Sequence, residues 1–248
     1  MQTLRICTYN IHKGFSQFGR RLVIHELRER LRQLAPDIAL LQEVQGLHLG
    51  HANAHPDWPR EPQHEFLAEQ EWSAAYGGNA SYESGHHGNA VLSRTPILNA
   101  ANHDITQHRL ECRGILHCEV SLPMLDQTLH IICMHLSLTE QQRKRQMAEL
   151  VTLIDRDIPA DAPLILGGDF NDWRNRISHN LPTRLGLQEA FTTLHGSPAR
   201  SFPSKLPVLR LDRLYVRGFR VRHTHVHWGL PWSRISDHAA LTADVELL

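Results

Sequence analysis

Residues 164–171 read LILGGDFN. Leu164 to Leu166 is a short continuous apolar run, the mark of a strand buried on both faces. It leads into Gly167, Gly168, Asp169, Phe170 and Asn171. Two glycines allow a tight backbone turn, and an acid and an amide two residues apart are able to face one site. The same grammar recurs along the chain: an apolar strand ends, and an acid, amide or imidazole takes its last position. Leu4 to Tyr9 ends in Asn10, Ile38 to Leu41 in Gln42 and Glu43, and Leu129 to Met134 in His135. Asp237 and His238 stand just before the apolar run Ala239 to Leu247. Polar strand ends that are distant in sequence converge when they share one edge of a sheet. Carboxylates, amides and histidines gathered in that way suit a hard divalent metal and acid–base chemistry. Asp212, inside the apolar run Leu211 to Val216, is an acid that needs a partner.

The intervening segments supply helices and loops. Leu22, Leu27, Leu31 and Leu34 recur at roughly helical spacing over 21–34, and Pro36 stops that helix. Thr139 followed by Gln142 is a capping-box pattern, and the helix it opens is predicted to run to about Ile158. Ala90 to Leu92 is a further strand after Gly88 and Asn89. Segment 46–70, with His48, His51, His55, Pro56, Pro59, Pro62 and His64, reads as a long surface loop or a loop with one short helix. There is no internal repeat and no low-complexity stretch. Many short buried strands and few long helices predict an α+β fold of helix-covered sheets packed on each other.

The 248 residues carry 26 Lys+Arg against 26 Asp+Glu, so the formal net charge is zero. With 41% hydrophobic and 21% charged residues, wholesale disorder is excluded. The length fits one domain spanning 1–248. Zero net charge removes the basic excess that argues most directly for nucleic-acid binding, and leaves a local basic patch open. The 19 histidines are read as a compositional habit. Cys7, Cys112, Cys118 and Cys133 lack metal-type spacing and sit in strand-like runs. They are expected to be reduced core thiols of a cytoplasmic protein. No signal peptide and no transmembrane helix are expected, and the chain is expected to be a monomer.

Seven pieces in order, TYNIHKG (8–14), LLQEV (40–44), GNAVLSR (88–94), MHL (134–136), GGDFN (167–171), LDRLYV (211–216) and SDHAAL (236–241), resemble the endonuclease/exonuclease/phosphatase superfamily. That group holds pancreatic-type DNases, exonuclease III-like nucleases, inositol-phosphate 5-phosphatases and neutral sphingomyelinases. The resemblance implies a four-layer α-β-β-α sandwich of two packed mixed sheets with outer helices, the DNase I-like fold. It implies Glu43 as the principal Mg²⁺ (or Mn²⁺) ligand, Asn10 beside the metal and Asp237 contributing to it. Asp169 and Asn171 would orient the attacking water and the phosphoryl oxygens. Asp212 would pair with His238, which answers the puzzle of the acid in an apolar run. His135 would contact the phosphate or protonate the leaving oxygen, and Asn89 would contact phosphate or a metal-bound water. The implied reaction is in-line attack of water on phosphorus. Either His238 or Asp169 takes the water's proton, and one or two metals remain open.

TYNIHKG departs from the N-G-I-R form of exonuclease III-like enzymes, and the GNA form and MHL lean towards the phosphatase and DNase branches. The expectation is therefore a Mg²⁺-dependent phosphoesterase, with a phosphodiester or phosphomonoester in a nucleic acid, a lipid headgroup or a small molecule as substrate. The alternatives are a DNA endonuclease of the pancreatic type and a catalytically inactive phospho-ligand binding module. Lys13, Arg94, Arg113, Arg143 and Arg174 lie in or near motifs and are candidates for an anion-binding rim, Arg113 foremost. His86 and His87 read as a loop rim, and their place beside the GNA motif leaves a substrate contact open. His223, His225 and His227 alternate and so share one strand face, a zinc arrangement or, as expected, an exposed or edge-strand face.

Overall fold

The computed structural model describes residues 3–17, 21–122, 127–176 and 181–248. The strands are β1 (Thr3–Asn10), β2 (Ile38–His48), β3 (Ser73–Tyr82), β4 (Gly85–Ser93), β5 (Ile97–Asp104), β6 (Gly114–Leu122), β7 (Gln127–His135), β8 (Leu164–Asp169), β9 (Gln188–Glu189), β10 (Asp212–Arg217), β11 (Phe219–His227) and β12 (Ala240–Leu247). The helices are α1 (Ile24–Leu34), α2 (Leu49–Ala54), α3 (Gln63–Ala68), α4 (Glu140–Asp157), α5 (Leu181–Leu185) and α6 (Ala190–His195). One sheet has the order β11-β12-β1-β2-β4-β3 and the other β5-β6-β7-β8-β10-β9. Each is mixed: β1 pairs parallel with β2, and β7 parallel with β8, among antiparallel neighbours.

The apolar residues divide into three layers. Ile6, Leu40, Val91, Cys118, Ile131, Ile165 and Leu214 fill the space between the sheets. Cys7, Leu41, Val44 and Leu92 pack the outer face of the first sheet against Ile24, Leu27 and Leu31 of α1 and Phe66 and Leu67 of α3. Ile132, Met134 and Leu166 pack the second sheet against Met147, Leu150 and Ile154 of α4. Strands buried on both faces explain the continuous apolar runs, and the four-layer sandwich is the expected architecture.

α4 starts where its capping pattern places it, with the Thr139 hydroxyl accepting from Gln142 N–H. α1 begins at Ile24, three residues later than the apolar spacing suggests. Segment 46–70 is more regular than expected: β2 continues to His48, and two short helices follow. Gly167 and Gly168 make no turn; both lie within β8. Gly168 has φ +147°, and a Cβ on it would stand 1.8 Å from the Met134 carbonyl oxygen, so the glycine is required by the close approach of β7. All four cysteines are free thiols, but Cys112 lies in the turn between β5 and β6 and is only partly buried. His223, His225 and His227 occupy the edge strand β11. Among the described residues no metal-holding group forms there. No helix is long and apolar enough to cross a membrane.

Candidate active site

Strand register assembles the site. In the second sheet His135 stands opposite Asp169 across the β7–β8 pair, and Asp169 opposite Asp212 across β8–β10. In the facing sheet Asn10 stands opposite Gln42, with Glu43 one residue beyond. His238 comes just before β12, which flanks β1.

Glu43 reaches this site through a break in alternation. Leu40 faces the inter-sheet core and Leu41 the helices, so strict alternation would send Glu43 towards the helices and Val44 inwards. Instead the β2–β4 register shifts between Leu41 and Val44, and Glu43 takes φ +56°. The extra residue of this bulge lets Val44 rejoin Leu41 on the helix side and re-aims Glu43. A second left-handed residue, Asn171 at φ +49°, turns the chain after Asp169.

The side chains form one network. Asn10 Nδ2 donates to Glu43 Oε1 (3.1 Å) and Asp169 Oδ2 (3.2 Å). Asp169 Oδ1 accepts the Asn171 N–H (2.9 Å), while Oδ2 lies 3.4 Å from His135 Nε2 and 3.6 Å from His238 Nε2. Asn171 Nδ2 stands 3.3 Å from His135 Nε2. Arg113 Nη1 lies 3.4 Å from His135 Nδ1. His238 Nδ1 lies 2.9 Å from Asp212 Oδ2. Asp237 is set beside Asn10 through Ser236, whose hydroxyl donates to the Asn10 carbonyl (2.7 Å) and accepts the His238 N–H (3.1 Å).

Asn89 stands apart. Its amide nitrogen donates to the Gly114 and Cys133 carbonyls, tying β4 across the sandwich. Among the rim cations, Arg94 lies at the far end of β4 over Trp72, with its Nε donating to the Pro36 carbonyl. Arg143 is buried and donates to the Ser137 and Leu138 carbonyls beneath Trp173. Arg174 lines a separate cavity of about 530 Å³ with Trp173 and Arg210. Lys13 and Arg113 remain beside the site, where both act on His135.

Electrostatics differentiate the two histidines. Burial alone would lower the His238 pKa, but the Asp212 and Asp169 carboxylates outweigh it and raise the value to about 10. His238 is thus an imidazolium at neutral pH. Burial, together with Arg113, His238 and nearby cations, holds His135 well below its ordinary value and therefore neutral. Burial pushes the Asp169 carboxyl up to about 6, against the pull of His238.

Glu43 and Asp237 are oxygen donors of the kind a hard divalent cation takes. Glu43 accepts from Asn10 Nδ2, and Asp237 Oδ1 lies 3.5 Å from the Ser236 hydroxyl, whose proton goes to the Asn10 carbonyl. No Lys or Arg among the described residues forms an ion pair with either carboxylate. Uncompensated oxygen donors favour Mg²⁺ or Mn²⁺ over softer metals. Asp169, Asp212 and His238 also have ligand atoms within 4.8 Å of one another. That trio is compatible with a cation as well as with the hydrogen bond between His238 and Asp212.

Several supporting residues escape sequence reading. Ser236 is visible only as part of a motif, and its two hydrogen bonds appear only on folding. Phe202 packs its ring 5.1 Å from that of His238. Glu111 accepts from Arg113 Nη2 and from the Leu138 N–H, fixing the arginine beside His135. No local pattern marks either Phe202 or Glu111.

The model of the Endonuclease/Exonuclease/phosphatase family matches residues 7–238. A protein named uncharacterized protein YbhP from Escherichia coli K12 is 44% identical over 246 residues, covering 99% of this chain and 97% of that protein. Among solved structures, an endonuclease/exonuclease/phosphatase from Beutenbergia cavernae superposes with a TM-score of 0.77 at 20% identity, over 100% of this chain and 72% of that one. The human Nocturnin catalytic domain gives 0.76 at 20% identity, covering 99% and 94% of the two chains. D. rerio TDP2, solved with a single-strand DNA product, gives 0.71 at 18% identity, covering 99% and 100%. Fold and site thus define a phosphate-ester hydrolase. The chain belongs to the endonuclease/exonuclease/phosphatase family.

Proposed function

We propose that this protein is a Mg²⁺-dependent phosphoesterase that hydrolyses a phosphodiester or phosphomonoester by in-line attack of a water activated by Asp169. The observation that carries this reading is the position of Asp169, between the uncompensated Glu43 carboxylate, joined through Asn10, and the imidazolium of His238. Glu43, Asp237 and Asn10 Oδ1 are the donors suited to the ion. When bound, it supplies positive charge against the phosphoryl oxygens.

The remaining chemistry belongs to the side chains. His238 already carries its proton, so it donates to a phosphoryl oxygen rather than acting as base. Asp169, with its pKa raised to about 6, is ionised at neutral pH and basic enough to take the water's proton. Asn171 Nδ2 and neutral His135 orient the phosphoryl group from the second sheet. Arg113 adds positive charge on that side. Asn89 contributes its Oδ1 at most, because its amide nitrogen is engaged across the sandwich. The buried free thiols support a reducing, cytoplasmic setting.

Release of p-nitrophenol from bis(p-nitrophenyl) phosphate and from p-nitrophenyl phosphate, with Mg²⁺ and then with EDTA, tests the reading. Turnover abolished by EDTA and restored by Mg²⁺ is expected. EDTA-resistant turnover overturns metal dependence, and phosphate binding without turnover supports a binding module. The likeness to TDP2 bound to a DNA product supports a nuclease as the second reading. Nicking of supercoiled plasmid at low enzyme concentration would favour it.

A further inference from the structure

We propose that His87, held by Tyr82, is a further substrate-positioning side chain of this active site, presenting its Nε2–H as a donor to a phosphoryl oxygen. The proposal rests on the phosphoesterase reading and extends it to the residue two positions before Asn89 of the GNA motif.

Three observations converge on His87. The first is its facing. His86 and His87 lie within β4, not in a loop, and the register shifts beside them insert extra residues into β2 and β3 but none into β4, so His87 and Asn89, two residues apart, project from the same face. Asn89 reaches carbonyls of the second sheet, so that face is the inner one. His86 points the other way and meets Tyr76.

The second is its neighbours. Half-buried His87 lies within electrostatic reach of Lys13, Glu43 and Arg113. In the first sheet the order β12-β1-β2-β4 places His238 on one side of Asn10 and Glu43, and His87 on the other. A phosphoryl group seated beside Glu43 is therefore held between His238 on one flank and Lys13, His87 and Arg113 on the opposite one.

The third is its orientation. Tyr82 Oη lies 3.0 Å from His87 Nδ1. Burial and the nearby Glu43 raise the Tyr82 pKa, so the phenol keeps its proton and donates it to Nδ1. The tautomer is then fixed with hydrogen on Nε2. Burial and the two cations hold His87 neutral, down to about 4, which keeps it a donor without adding a third positive charge. A second ring, His48, packs 5.7 Å from Tyr82 and limits its movement.

The test uses the whole chain, with inorganic phosphate as the binding probe. Phosphate affinity is measured by calorimetry in Mg²⁺ for wild type, His87→Ala, His87→Gln and Tyr82→Phe, with melting temperatures recorded for each. KM and kcat are measured on bis(p-nitrophenyl) phosphate. His87→Ala should weaken phosphate binding and raise KM roughly tenfold, with a smaller change in kcat. His87→Gln should recover most of the loss, because its amide restores an N–H donor. Tyr82→Phe should fall between. Unchanged phosphate affinity and KM in His87→Ala, alongside an inactive Glu43→Ala, would overturn the proposal and leave the phosphoesterase reading intact. Equal losses in the Ala and Gln variants at matched melting temperature would also overturn it, leaving His87 as a strut of the β3–β4 hairpin. If wild type turns over no ester with any divalent cation, the phosphoesterase reading falls, and calorimetry alone decides the phosphate contact.

Discussion

His238 and Asp212 form a buried hydrogen-bonded pair, with Nδ1 2.9 Å from Oδ2 and both side chains almost closed to solvent. Residues 26 positions apart are brought together because Asp212 opens β10 opposite Asp169, while His238 sits at the threshold of β12 in the other sheet. The pair spans the two sheets and fixes the imidazole's tautomer and charge.

Asp212→Asn removes the hydrogen-bonded one of the three carboxylates, Asp212, Asp169 and Asp237, that keep His238 protonated. The imidazolium fraction then falls within the neutral range. kcat/KM is expected to drop roughly 10²-fold at neutral pH, and the alkaline limb of the pH–rate profile should move to lower pH. A profile that superimposes on that of wild type would contradict the role given to His238.

The same pair sets a pH dependence of stability. The folded pKa of His238, about 10, lies above the ordinary 6.5. Its contribution is therefore complete below about pH 6.5 and is lost as pH rises through about 10. Metal-free protein should melt at progressively lower temperature over that window. His238→Gln should flatten the slope. An equally steep slope in that variant would assign the effect to other groups.

Glu43→Ala and His238→Ala are expected to fail differently. Loss of Glu43 removes a cation donor, so turnover should fall but recover in part at high Mg²⁺ concentration. Loss of His238 removes a phosphoryl contact, and added Mg²⁺ should not restore activity. A Mg²⁺ titration of both variants separates the roles; identical, metal-insensitive losses would refute the division.

Gly168→Ala should be poorly tolerated. The added methyl would meet the Met134 carbonyl oxygen at 1.8 Å, in a backbone conformation that side chains rarely adopt. A cost of about 4 kcal/mol or more is expected, read as a large fall in the denaturant midpoint or as insoluble protein. A near-normal midpoint would mean that β7 and β8 separate more readily than their pairing suggests.

Strand cores, and the polar residue closing each, are legible in the sequence because alternation and apolar runs are local properties. Asn10, His135 and Asp169 are readable as candidates for that reason, Asp212 as an acid inside an apolar run, and strand register then places them around one site. Two local readings needed correction. The glycine pair at 167–168 signals a turn by propensity, yet the space it provides is for a neighbouring strand. The proline- and histidine-rich segment 46–70 suggests a loop, yet its apolar residues Phe66 and Leu67 find a sheet face to cover and become helical against it.

The sequence by itself determined the fold class, the family and the order in which the chemical groups arrive, because apolar pattern and short motifs are carried by neighbours along the chain. Only the tertiary structure decided which charge each group bears and where it points. The bulge that turns Glu43 and the carboxylates that keep His238 protonated are contacts between distant segments, and the phenol that orients His87 reaches it only once β3 and β4 pair. Protonation and direction depend on burial and on neighbours in space, and neither exists until the two sheets close on each other.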